Sequence, residues 1–430
     1  MLRHLNILSS SKSIRLVLVI LLLTIAIFFR VYKIASIPPG LNQDETAIGY
    51  NAYSIAETGK DEWGTSYPLY FKSFGDQKLP GYIYTTALFV KFMGLNEYAV
   101  RLPSAIAGII AVFVLLYLVW YLTKNFTLAY ISAFLLAITP WHIQFSRSGF
   151  EVNFALTSAL IGVTLFIVAV DKKKILLLLL SLAAFSISLY SYNVTRLLSP
   201  MLLLACILLN WKNVREFKFT QLIIPLVFLL ITLAPFFISF FSTGGVLSAK
   251  SSLITSTDVL AKDIEMRSYL ISAPSWYTKI FYNQYIYLAY QYVQNLALLF
   301  SGSFFFVDGS SHPHQSIGNV GVFYLFQLPF FILGIVIFFL KKVKQLNLFL
   351  IWLLAAALTL SLSKVVPHAT RGYFLVIPVV IFFAFGLLYF VNILLNIKKP
   401  FMKSLLFIFT GFFIFYNLQF YLASYYFRFP

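Results

Sequence analysis

The amino-acid sequence predicts an all-α polytopic membrane protein that crosses its bilayer about eleven times. Three observations carry that expectation. Hydrophobic residues make up 60% of the 430 residues and charged residues 11%, whereas a water-soluble domain clothes itself in roughly 25–35% charged residues. Lipid must therefore solvate much of the exterior. Apolar runs approaching the roughly 20 residues that a spanning helix needs recur along the chain. Lys and Arg gather in alternate connections between those runs, which is how bilayer orientation is encoded.

The runs lie near 14–32, 102–122, 127–143, 153–170, 175–191, 196–210, 221–240, 322–340, 346–363, 373–395 and 404–425. The first is preceded by Arg3, Lys12 and Arg15 and followed by Arg30 and Lys33, with no small-residue cleavage site, so it reads as an uncleaved anchor. With the N-terminus in the cytoplasm, the cytoplasmic connections hold Lys124, then Lys172–Lys174, then Lys212, Arg215 and Lys218. Lys341, Lys342 and Lys344 follow, then Lys398, Lys399 and Lys403, against only Asp171 and Glu216 on that side. This predicts a multi-pass protein of the cytoplasmic (plasma) membrane with its C-terminus outside. The segment 80–93 is apolar but only about half a bilayer long. Counting it as a span would turn every later basic cluster outward, so it reads as an interfacial helix on the outer leaflet.

Two outer segments, 34–101 and 241–321, are too long to be mere connections. They carry Trp63, Tyr67 and Tyr70, then Trp276 and a tyrosine-rich run to Tyr292, which predicts folded segments at the interface. The whole chain, 1–430, reads as a single transmembrane domain. The net charge of +18 sits in short groups between apolar runs, which excludes a nucleic-acid groove. The single cysteine, Cys206, rules out disulfides and thiolate metal sites.

The residues that could carry chemistry crowd into the outer connections. After Pro38-Pro39-Gly40 comes Asn42-Gln43-Asp44-Glu45, where a short amphipathic helix is expected to start at about Asp44. Two adjacent carboxylates at the water–membrane boundary suit general-base work on a hydroxyl. The alternative is helix-start chemistry, since acids are favoured beside the exposed amides of a first turn. Lys78 and Arg101 can hold a lipid phosphate, or can simply flank a span. Arg147 and Glu151, four apart, are expected to share a helix face where a span begins, either as site residues or as a structural pair. Later come Asp308, His312, His314 and the run Pro367-His368-Ala369-Thr370-Arg371, in which Arg371 is a further phosphate candidate. His312 and His314 alone do not name a metal site. No Gly-rich phosphate loop and no HExxH motif occurs.

In this order, the parts resemble the superfamily of polytopic transferases that use polyprenyl-phosphate sugars as donors, the GT-C fold superfamily. They are most similar to its protein O-mannosyltransferase and lipid A aminoarabinose transferase branch. The matching pieces are Asp44-Glu45 after the first span, Lys78 and Pro80 before an interfacial helix, and Tyr98-Ala99-Val100-Arg101-Leu102-Pro103-Ser104-Ala105. Pro140, His142, Ser146, Arg147 and Glu151 follow, then Pro367, His368, Ala369 and Arg371. The resemblance is dense over about 35–170 and thin beyond.

The resemblance implies a GT-C-like fold and an inverting transfer of a sugar from a polyprenyl-phosphate donor to an acceptor hydroxyl outside the membrane. The acceptor is a protein, lipid or glycan. Asp44 would be the catalytic base, with Glu45 beside it and Glu151 as a second acidic site residue. Lys78, Arg101, Arg147 and Arg371 would hold the donor phosphate. Gln77 stands where the branch often has a glutamate that some relatives use at a metal, which counts against a divalent metal here. The competing classes are a transporter or flippase, and a polymerase or ligase, for lipid-linked glycans. Ionisable residues at the outer ends of spans, rather than at mid-depth, favour chemistry at the surface over passage through the membrane.

Overall fold

A computed structural model describes residues 11–74, 76–242, 252–270, 274–310, 312–318 and 320–428. Arg3 and the stretches 243–251 and 271–273 of the second long connection lie outside the described residues.

Every apolar run is helical. Six helices are long and apolar enough to cross a membrane: α1 (Lys12–Val31), α4 (Glu97–Thr123), α7 (Glu151–Lys172), Phe219–Ile238, Ala369–Leu395 and Pro400–Arg428. Shorter apolar helices occupy the other runs: α8 (Ile175–Leu189), α9 (Thr195–Leu209), Gln327–Lys341 and Lys344–Leu360. The run 127–143 departs from the expected single helix. It breaks between α5 (Phe126–Ile138) and α6 (Pro140–Arg147), which meet at 57°. Pro140 has no N–H to continue α5 and instead takes the first position of a new helix, where the missing donor does no harm.

The break also corrects an expectation. Arg147 ends α6 and Glu151 begins α7, so the two do not share a helix face.

Helix α4 starts where the Asn96 side chain accepts the Ala99 N–H at 2.9 Å. Helices α4, α7 and Gln327–Lys341 end on Lys124, Lys173 and Lys342, each with positive φ. Lysines that read as orientation signals thus also close these helices, where a cation complements the carbonyl end of the dipole.

Helices α7 and Ala369–Leu395 form the centre of the molecule, while α1, Phe219–Ile238 and Pro400–Arg428 leave most of their length uncovered. Lipid tails are as apolar as leucine, so helix association depends on close approach of small residues. Gly334 and Gly386 meet that need. A Cβ at Gly386 would lie 1.9 Å from the Phe330 carbonyl, and one at Gly334 2.1 Å from that of Phe382.

The first long connection, 34–101, folds as α2 (Gln43–Thr58), a hairpin of β1 (Phe71–Ser73) and β2 (Asp76–Lys78), and α3 (Pro80–Met93). The hairpin is the exception to an all-α reading among the described residues. Its strands pair antiparallel with Phe71 opposite Lys78. Helices α2 and α3 bury their own apolar cluster of Ile48, Ala52, Ile55, Phe71, Tyr82 and Ile83. The Gly81 N–H donates to the Tyr190 carbonyl at 2.9 Å, and a Cβ there would lie 2.2 Å from Ser191 Oγ. Only glycine lets the start of α3 sit this close to the end of α8.

In the second long connection, 241–321, helices Thr257–Ser268, Ser275–Phe281 and Gln284–Leu299 are described. Backbone bonds from Ile254 N to Leu362 O (2.9 Å) and from Lys364 N to Ser252 O (3.0 Å) fasten this segment to the end of Lys344–Leu360.

Candidate active site

Asn42 caps α2 by accepting the Glu45 N–H at 2.9 Å, while Glu45 Oε2 accepts the Asn42 N–H at 3.0 Å. This reciprocal box sets the first turn. The Glu45 carboxylate is buried and does more than cap. It accepts from Arg101 Nε at 2.7 Å, from Arg101 Nη2 at 3.2 Å and from the Gly149 N–H at 2.8 Å. Both oxygens are thereby engaged within the protein, and Glu45 joins α2, α4 and the turn before α7.

Arg101 is likewise fully used. Besides Glu45, its guanidinium donates to the carbonyls of Ile34 (2.8 Å), Pro38 (2.9 Å) and Gly40. All five of its N–H groups are spent. Arg147 donates to the carbonyls of Phe29 (3.0 Å), Tyr32 (2.8 Å) and Ile37 (2.9 Å) and lies against the rings of Tyr425 and Tyr426. The two arginines therefore depart from the expected phosphate role. They tie down the 29–40 stretch that leads into α2, satisfying carbonyls that no helix or strand takes up.

The neighbouring carboxylate is different. Asp44 points outward, half-exposed, and accepts from the buried Lys78 Nζ at 2.6 Å. Lys78 reaches it from the last position of β2, and Pro80 starts α3 two residues later. The hairpin and the Gly81 contact thus fix the lysine on a rigid frame.

On the other side of β2, Gln77 and the following Leu79 line a cavity of about 410 Å³. This division follows from the alternation of side chains along a strand. The cavity also takes in Glu151, at the start of α7, and Arg371, which donates to the Ser363 hydroxyl. Its walls mix apolar residues, Leu197, Phe236 and Leu360 among them, with polar ones such as Ser191, Asn193 and Thr359. The expected residues thus divide between two adjoining places: Asp44 and Lys78 form the pair, while Glu151 and Arg371 lie in the cavity.

Two residues that received no role from the sequence belong here. Arg196, in the first turn of α9, lines the cavity, lies against the rings of Tyr70 and Phe236, and donates to the Tyr70 hydroxyl at 2.9 Å. The signal was an arginine at the start of a span, away from the connections that hold the basic clusters. His368 precedes the helix Ala369–Leu395 and packs its ring against His312 at 5.0 Å. Burial first, then the positive charges of Arg371 and His312, push its pKa down to about 3, opposed by Asp44. His368 is therefore neutral through the physiological range. Among the described residues, no three His, Cys, Asp or Glu side chains come together as a metal site.

The depressed pKa has a consequence for stability. Below about pH 6.5 the unfolded chain takes up a proton that the folded protein refuses, so stability falls as pH drops toward 3. His368→Gln removes this loss. Thermal unfolding between about pH 7 and about pH 4 is expected to show the wild type losing more than the variant; parallel curves would sink the assignment.

Residues 77–239, which include Lys78, Glu151, Arg196 and Phe236, match the family model of dolichyl-phosphate-mannose-protein mannosyltransferase. No curated protein matches the chain in sequence. Among solved structures, ArnT from Cupriavidus metallidurans bound to undecaprenyl phosphate superposes with a TM-score of 0.53 at 13% identity, over 90% of this chain and 61% of that one. Its apo state gives 0.54 at 12% identity, over 92% and 62%. The apo oligosaccharyltransferase of Archaeoglobus fulgidus gives 0.55 at 13% identity, over 96% and 56%. The chain thus spans less than two thirds of the length of these structures, and at such identities the likeness is one of fold. This protein is a multi-pass membrane protein that shares its fold with ArnT and with the archaeal oligosaccharyltransferase.

Proposed function

We propose that this protein is an inverting glycosyltransferase that moves a sugar from a polyprenyl-phosphate donor to an acceptor hydroxyl on the extracytoplasmic face of the cytoplasmic membrane. The observation that carries this reading is the Asp44–Lys78 pair, an outward carboxylate bonded to a buried ammonium, beside a cavity lined by Glu151, Arg196 and Arg371. The match of residues 77–239 and the undecaprenyl phosphate bound by ArnT are consistent with it. The alternation of basic connections supports an N-terminus in the cytoplasm and a site outside.

In this mechanism Asp44 accepts the proton of the acceptor hydroxyl as its oxygen attacks the anomeric carbon. The bond from that carbon to the phosphate oxygen breaks on the opposite side, inverting the centre. The electron pair leaves with the phosphate, whose growing charge is stabilised by Lys78 and Arg371. One ammonium, bonded to Asp44, thus serves both the carboxylate and the arriving phosphate. A carboxylate near the anomeric carbon also stabilises its oxocarbenium character.

The test is transfer by the purified protein from a polyprenyl-monophosphate sugar. Lys78→Ala is expected to lower the rate by roughly 10²–10³-fold, the usual effect of removing one such donor. A protein that uses only diphosphate-linked oligosaccharides would instead be a ligase or polymerase. One that moves lipid-linked glycan between leaflets without transfer would be a flippase.

A further inference from the structure

At the end of the molecule opposite the candidate site, an apolar groove of about 360 Å³ lies between α7, α8, α9 and the helix Phe219–Ile238. Its walls include Val170, Leu178, Ile207, Val214, Phe217 and Leu226. The segments that close this end are cross-linked to each other. Lys173 pairs with Glu216 at 2.6 Å, Asn213 donates to Asp171 at 2.7 Å, and the Tyr121 hydroxyl donates to Asp171 at 3.0 Å. Both acids of these segments are therefore engaged. Lys172, Lys174, Lys212, Arg215 and Lys218 are exposed and form no ion pair among the described residues. The cations interleave with the walls: Lys172 is two residues from Val170, Arg215 follows Val214, and Lys218 follows Phe217.

We propose that this groove is a binding site for an anionic phospholipid of the adjacent leaflet. Its acyl chain lies between the helices, and its phosphate lies among Lys172, Lys174, Arg215 and Lys218. The wholly apolar walls accept hydrocarbon and nothing polar, and the rim, with Lys172–Lys174, Lys212, Arg215 and Lys218 against only Asp171 and Glu216, presents net positive charge to whatever headgroup stands above it. Basic pockets between membrane helices select anionic headgroups by this complementarity. Orientation signalling alone requires cations on one side but does not require them around a groove whose two lips are clamped together. The site does not depend on the transferase reading.

The experiment uses the full-length protein in nanodiscs with a phosphatidylglycerol carrying a photoreactive acyl chain, and maps the labelled peptides. Labelling is expected within 166–182 and 214–229, to be displaced by unlabelled phosphatidylglycerol, and to survive phosphatidylcholine. Arg215→Gln with Lys218→Gln should lower it by roughly tenfold, whereas Lys398→Gln with Lys399→Gln, which removes two cations elsewhere, should not. Leu226→Trp, which fills the groove, should abolish it while thermal unfolding remains cooperative. Equal competition by phosphatidylcholine, stronger competition by polyprenyl phosphate, or equal effects of the two double variants would overturn the proposal.

Discussion

Asp44→Asn is expected to slow sugar transfer by roughly 10²–10⁴-fold, the range lost when a positioned general base is removed, while membrane insertion and donor binding persist. The reason lies in the contrast between neighbours. Asp44 is half-exposed with Lys78 as its bonded partner, whereas Glu45 is saturated by Arg101, Asn42 and Gly149. An amide at 44 keeps the size and still accepts from Lys78 Nζ, so the frame survives and only the proton acceptor is lost. Single-turnover transfer and donor binding, measured on the same preparation, separate the two effects. Full transfer by this variant removes Asp44 as the base, and loss of donor binding with transfer would make it only an anchor for Lys78.

The second large effect is structural. Arg101→Ala is expected to destabilise the protein by about 3–5 kcal/mol, the usual result of leaving one partner of a buried pair uncompensated. The Glu45 carboxylate would remain buried, and the carbonyls of Ile34, Pro38 and Gly40 would lose their donor. Arg101→Lys should recover little, because a single ammonium cannot span carbonyls and carboxylate as the planar fork does. Glu45→Gln with Arg101→Met should lose less than Arg101→Ala, since no charge is then stranded. Thermal unfolding in detergent reads all three. A variant Arg101→Ala as stable as the wild type would show that the clamp is dispensable.

These two results would separate what looks identical in the sequence. Asp44 and Glu45 are adjacent acids at a helix start, and either could be the base or the cap. Local chemistry anticipates that α2 begins here, because the box of Asn42 and Glu45 spans only three residues. It cannot say which acid is free. That depends on Arg101, 56 residues away, and on the Gly149 amide, 104 residues away. Arg101 and Arg147 were reasonable phosphate ligands by charge and place, yet both donate to backbone carbonyls of a distant stretch, and Arg101 also to Glu45, and such carbonyls carry no sequence signature.

The same division holds across the molecule. Apolar run length and basic clusters act within a segment, so the sequence by itself determined where the helices lie, that lipid surrounds them, and that α3 forms at 80–93. The sequence reads 127–143 as one run, whereas the structure breaks it at Pro140 with a 57° bend. Only the tertiary structure brought Lys78 to Asp44, placed Glu151, Arg196 and Arg371 in one cavity, and set His368 against His312. Burial and pairing are properties of contacts between distant segments, and for charged groups those contacts decide which are held inside the protein and which remain open to a substrate.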